Sequence, residues 1–127
     1  VALTVSEFDD FIILQEDDCD ETPTENAIGP CRLYKIEAFN KDAEINFLKL
    51  FDAVEASWGT TEPDDIFPIP EGDDTNWGYL SVDFLDEPRV FQTGLTFGAA
   101  NAGGKTAGTG PEANEVLIIL HLKRGVS

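Results

Sequence analysis

One histidine, two cysteines, two tryptophans and a large surplus of carboxylates are the residues of this 127-residue chain that could do chemistry. His121 lies inside the apolar run "LIILHLK", where a histidine is usually a packed or edge residue. A single histidine cannot serve a metal site and also act as a general base. Two cysteines and one histidine without ligand spacing exclude zinc. A Ser-His-Asp set could be drawn around His121 on paper, but no G-x-S-x-G turn accompanies it. Paired carboxylates occur in any acidic protein, so they do not point to sugar hydrolysis here.

Two loops imitate ligand sites. "AANAGGKT" has the look of a phosphate-binding loop, but Ala99 stands where the first glycine is required and Gly98 comes one residue early. The following "AGTGPEAN" is all turn, whereas a phosphate loop must open a helix. It reads as a small-residue loop between two strands, either a mobile tip or a segment packed against a neighbouring subunit. "DTNWGY" places oxygen ligands at alternating positions, yet Leu85 stands where a calcium loop needs its closing acid, with Asp86 beside it. "EDDCDE" is a run of like charge of the kind that is usually solvated. No catalytic, cofactor-binding or metal residue is assigned, no cofactor is expected, and the chain reads as a non-enzyme.

The bulk numbers narrow the partners. Eight basic against 25 acidic residues give a formal charge of −17. Phosphate contacts need clustered Lys and Arg, so nucleic acid is not expected as a partner, and an anionic membrane surface would repel the chain. No apolar run approaches the roughly 20 residues of a membrane span. No signal peptide is visible, and a chain starting at Val1 fits an initiator Met trimmed before a small residue. Cys19 and Cys31 flank "DETPTENAIGP" and could close a loop if oxidised, but without a secretory signal free thiols are expected. From Val1 to Pro30 there is no Lys or Arg, so this stretch reads as an acidic N-terminal arm, solvated or bound to something positive.

The elements that would position these residues are short and bounded by turns. "YLSVDFL" alternates, with Leu80, Val82 and Phe84 on one face. "RLYKIEAF" alternates too, with Leu33, Lys35, Glu37 and Phe39 on one side and Tyr34, Ile36 and Ala38 on the other. In "RVFQTGLTF", Gly94 marks a bulge or a close approach between two short strand pieces. "EVLIILHLK" suits a central strand covered on both faces, and the prolines of "DIFPIP" confine it to an edge. "FDDFIILQ" is ambiguous between strand and helical turn. So is "NFLKLFDAVEASW": Leu48, Phe51 and Val54, with Ile45 and Trp58 beyond, favour a helix by spacing alone. Its short, alternating neighbours favour a strand from about Asn46 to Asp52, followed by a loop. The expectation is an all-β antiparallel sandwich or jelly roll over residues 31–127 with the acidic arm over 1–30. The alternative is α+β with one helix near 43–57.

The order of pieces resembles a family of small virion proteins of tailed bacteriophages, of the capsid decoration or cement type. The likeness runs from "GPCRLYKIEAFN" through "NFLKLFDA" and "GTTEPDDIFPIPEG" to "GLTFGAANAGGKTAG" and "ANEVLIILHLKRG", roughly Gly29 to Gly125. The acidic arm has no counterpart in it, and "EGDDTNWGYLSVDFLDEPRVFQ" is longer than usual. The resemblance implies a β-sandwich on the outer capsid surface, with "FLKLFDA" as the second strand of a hairpin behind "RLYKIEAF". It also implies binding to the major capsid protein or another virion protein, as a dimer or trimer, so that weak contacts are multiplied by valency. The alternative function is a carbohydrate- or calcium-binding β-sandwich module. Trp58 or Trp77 would then be the sugar platform, and Asp73, Asp74 and Asn76 would lie near a cation.

Overall fold

A computed structural model describes residues 2–73 and 75–127. Its strands are β1 (Leu3–Phe8), β2 (Phe11–Glu16), β3 (Cys31–Asn40), β4 (Asn46–Asp52), β5 (Asp65–Ile69), β6 (Gly78–Asp83), β7 (Arg89–Phe91), β8 (Leu95–Ala100) and β9 (Val116–Arg124). Among the described residues there is no helix. A six-stranded antiparallel sheet runs β1-β2-β9-β3-β6, with β7 also pairing β3. A three-stranded sheet runs β5-β4-β8. Inward-facing residues of the two sheets share one buried cluster, including Ile12, Leu14, Ile36, Ile118 and Leu120 from the first and Leu48, Leu50, Phe97 and Ala99 from the second. The all-β, two-sheet architecture expected from the sequence is the one present.

The strand over Asn46–Asp52 explains its own helical disguise. Leu48 and Leu50 face the core, while Lys49 and Phe51 are buried on the opposite face. With both faces covered, apolar residues fall at spacings of three and four by coincidence, and period-2 alternation disappears. β4 is not the second strand of a hairpin behind β3, because the two strands belong to different sheets. The chain changes sheets through residues 41–45, which two buried asparagines hold. Asn40 Nδ2 donates to the Glu44 carbonyl at 3.0 Å and the Pro70 carbonyl at 3.2 Å, and its Oδ1 accepts from the Asp42 amide at 2.8 Å. Asn46 Nδ2 donates to Asp42 Oδ2 at 3.0 Å.

Alternation along β3 breaks where its register with β9 shifts between Leu33 and Lys35. Cys31 and Leu33 are buried before the shift; Ile36, Ala38 and Asn40 are buried after it. A bulge adds one residue and moves the buried set from odd to even positions. β5, with Pro68, is an edge strand as its prolines require. β9 is central between β2 and β3, but it is fully covered on one face only: Val116, Ile118, Leu120 and Leu122 are buried, and Leu117, Ile119, His121 and Lys123 are half-buried. The three-stranded sheet packs on one side of it. Gly94 lies in the crossover between β7 and β8, where a Cβ would come 3.3 Å from the Ala53 carbonyl. It marks a close approach, and the chain changes sheets there.

The acid-rich first thirty residues do not hang off the sandwich. "FDDF" is a two-residue hairpin turn pairing Phe8 with Phe11, and β2 pairs with β9 along its length. The chain then touches the start of β9 at Cys19, and residues 20–24 run along the outer edge of β8. The Cys19 amide donates to the Val116 carbonyl at 3.0 Å, the Ala99 amide to the Asp20 carbonyl at 2.9 Å, and the Thr24 amide to the Phe97 carbonyl at 2.6 Å. Glu16, fully buried, accepts from Thr24 Oγ1 at 2.6 Å and the Asp18 amide at 3.1 Å, which ties β2 to this edge. Arg89 joins the two sheets at another edge, its Nε 2.8 Å from Asp65 Oδ2.

Candidate functional site

The two cysteines are buried and free. Cys19 bonds to Val116 and Cys31 registers with Arg124, at opposite ends of the nine-residue β9. At about 3.3 Å per residue those ends are roughly 26 Å apart, whereas a disulfide needs Cα atoms within roughly 7 Å. Burial, then the carboxylates of Glu16, Asp20 and Asp18, hold the Cys19 thiol well above its ordinary pKa. Burial and then Asp52 push Cys31 up to about 11. Neither thiol is poised as a nucleophile.

The two tryptophans part company. Trp58 lies on the outer face of the three-stranded sheet, where a Cβ at Gly98 would be only 2.7 Å from the indole. Its Nε1 donates to the Ala107 carbonyl at 2.8 Å, and Lys49 Nζ sits 4.8 Å from its ring centroid. Lys49 Nζ donates in turn to the Thr106 carbonyl at 2.7 Å, and burial lowers its pKa. The small-residue loop after β8 is therefore pinned to its own chain. The loop's own lysine, Lys105, is exposed, and no helix follows the loop to offer its N-terminus to a phosphate. Nothing in the sequence flagged Lys49 except a lone charge between Leu48 and Leu50.

Trp77, in contrast, is 41% exposed and stands at the β3–β6 edge of the six-stranded sheet's outer face. Its ring meets Phe39 edge-on at 6.4 Å between centroids, and Phe39 leans on Tyr79 at 4.9 Å. Register explains the grouping, because Phe39 pairs with both Tyr79 and Leu117. Lys41 Nζ lies 4.7 Å from the Trp77 ring centroid. One register step away, Glu37 Oε1 meets His121 Nε2 at 2.9 Å, and the Tyr79 hydroxyl donates to Glu37 Oε2 at 3.5 Å. His121 is thus paired with a carboxylate on an open sheet face. Ser81 is directly opposite Glu37 in the register.

Asp73 makes the turn that carries Trp77. Its Oδ1 accepts the amides of Thr75 at 2.8 Å and Asn76 at 2.6 Å, and these bonds lower its pKa. That oxygen is committed to the backbone, and Asp74, the other acid of the imitation calcium loop, lies outside the described residues. Among the described residues no group of three or more His, Cys, Asp or Glu gathers to hold a metal ion. Glu25 and Glu55 line a surface cavity of about 310 Å³ with Ser57 and Thr61. Thr61 Oγ1 accepts the Ser57 amide at 3.0 Å, which makes that hydroxyl part of the turn.

At the far edge of the same sheet, β1 overhangs. Val5 pairs with Leu14 and so faces the core side, yet it is 45% exposed, because the three-stranded sheet does not reach it. Phe8, at the end of β1, is 64% exposed. The only acid within β1, Glu7, is paired with Arg124. No protein-family model, no curated protein and no solved structure matches this chain.

Proposed function

We propose that the chain is a structural virion protein of the capsid decoration or cement type, attached to coat subunits on the outer capsid surface. The resemblance from Gly29 to Gly125 motivates this reading. One observation carries it: among the described residues β1 has no strand on its outer side, Val5 and Phe8 are exposed on its two faces, and its one carboxylate is paired with Arg124. A free, apolar strand edge is a template for strand addition by another chain. In a chain of net charge −17, pairing the strand's one carboxylate lowers the repulsion a neighbouring subunit meets there. Attachment at several symmetry-related sites, as a dimer or trimer, multiplies a contact that is weak on its own.

The test is to follow the protein in its native source by velocity sedimentation, and to heat particles made with and without it. The reading expects co-migration with a large particle and earlier rupture of particles that lack the chain. Equal resistance with and without it would remove the cement role.

A further inference from the structure

We infer that the β3–β6 edge of the outer sheet face, built on Trp77, Phe39, Tyr79 and Glu37, is a binding site for a neutral saccharide. A sugar ring offers a C–H face that packs on aromatic rings and a hydroxyl rim that seeks charged hydrogen-bond partners. This edge supplies both within one sheet register. Trp77 and Tyr79 are 41% and 48% exposed, and Phe39 between them braces both rings. Glu37, held by His121 at 2.9 Å, is a fixed acceptor beside Tyr79, and Lys41 over the indole is a donor.

The rings are held in place before any ligand arrives. Asp73 fixes the turn before Trp77 through two amide bonds. Gly78, which follows Trp77, packs so closely that a Cβ would meet the Pro70 carbonyl at 2.0 Å. Rigid aromatics forfeit little entropy on binding. The rim is hydrophilic, with Thr75, Asn76, Ser81 and Asp83 all exposed, which suits a hydroxylated ligand better than an apolar protein patch. Glu37 and the net charge of −17 select against acidic sugars. Trp58 offers no equivalent, because its N–H is donated to the Ala107 carbonyl and its half-buried ring packs against Gly98.

The site lies at the opposite edge of the sheet from β1, and its test uses the isolated chain, so it does not depend on the virion reading. The full chain is titrated calorimetrically, and by tryptophan emission, with hexasaccharides of α- and β-linked glucose, mannose, galactose and N-acetylglucosamine. A saturable response to at least one of them is expected. It should persist in Trp58→Phe and weaken at least tenfold in Trp77→Ala and in Tyr79→Ala, whose exposed positions leave the core intact. Glu37→Gln should weaken it severalfold. Silence across the panel at millimolar sugar, or binding that survives Trp77→Ala, overturns the proposal. So does a Trp77→Ala variant that loses particle attachment while the parent binds no sugar.

Discussion

Lys49 Nζ donates to the Thr106 carbonyl at 2.7 Å from a side chain that is 2% exposed, so a charge buried in a strand pins a loop 57 residues away. The ammonium sits beneath the Trp58 ring, where a cation–π contact partly offsets the loss of water.

Lys49→Met keeps the length of the stem while removing the charge. Global stability should change by no more than about 1 kcal/mol, because the lost bond and the relieved desolvation oppose one another. Amide exchange over residues 101–110 should accelerate, while β3 and β9 keep their protection. Burial lowers the folded-state pKa of Lys49 below its ordinary 10.5. Between those two values the unfolded chain binds more protons than the folded one, so stability rises with pH. Relative to Lys49→Met, the parent should gain stability as pH approaches 10.5.

The thiols pull the other way. Cys31 rises from an ordinary 9.0 to about 11, so between those values the unfolded chain loses its proton first and stability falls as pH rises. The full effect is on the order of 2–3 kcal/mol. Chemical denaturation at a series of pH values should show a shallower alkaline loss for Cys31→Ala than for the parent.

A thiol reagent such as iodoacetamide should label neither cysteine in the native protein and both after unfolding. An oxidant should not join them within one chain, since they sit at opposite ends of β9. A Cys19–Cys31 cross-linked peptide from oxidised native protein would refute the placement of Cys19 at the Val116 end of β9.

Gly98→Ala drives a methyl into the Trp58 ring, which would lie 2.7 Å away. A cost of about 1–3 kcal/mol is expected from overpacking. Trp58→Ala should relieve the indole part of that penalty in the double variant, giving measurable non-additivity in urea melts, while the part from the Asp20 carbonyl, 2.9 Å from the new methyl, remains. Gly72→Ala should be worse and should find no such relief, because its methyl would lie 2.0 Å from the Asn40 carbonyl, which is backbone.

Where one face of a strand is buried, its period shows in the sequence: "YLSVDFL" and the prolines of "DIFPIP" gave β6 and the edge strand β5 directly. β4 hid its period because Trp58 and Lys49 fill its second face, and sequence spacing cannot see a residue folding back from a loop. The bulge at Tyr34 inverted the parity of β3 without leaving a glycine to mark it. Acid content suggested an arm over 1–30, yet charge reports solvent contact and not strand pairing, so the hairpin at Asp9 and Asp10 and the buried Glu16 were invisible. Trp77 was visible as an aromatic near a turn. Its grouping with Phe39, Tyr79 and Glu37 needed the β3–β6 register.

The role of the β1 edge is tested most directly by hydrogen–deuterium exchange on the free chain and on the chain attached to its particle. Within β1, the amides not donated to β2 should exchange freely in the isolated protein and become protected on attachment, with Val5 and Phe8 losing their exposure. Attachment that protects other segments and leaves β1 exchanging as before would contradict docking by strand addition.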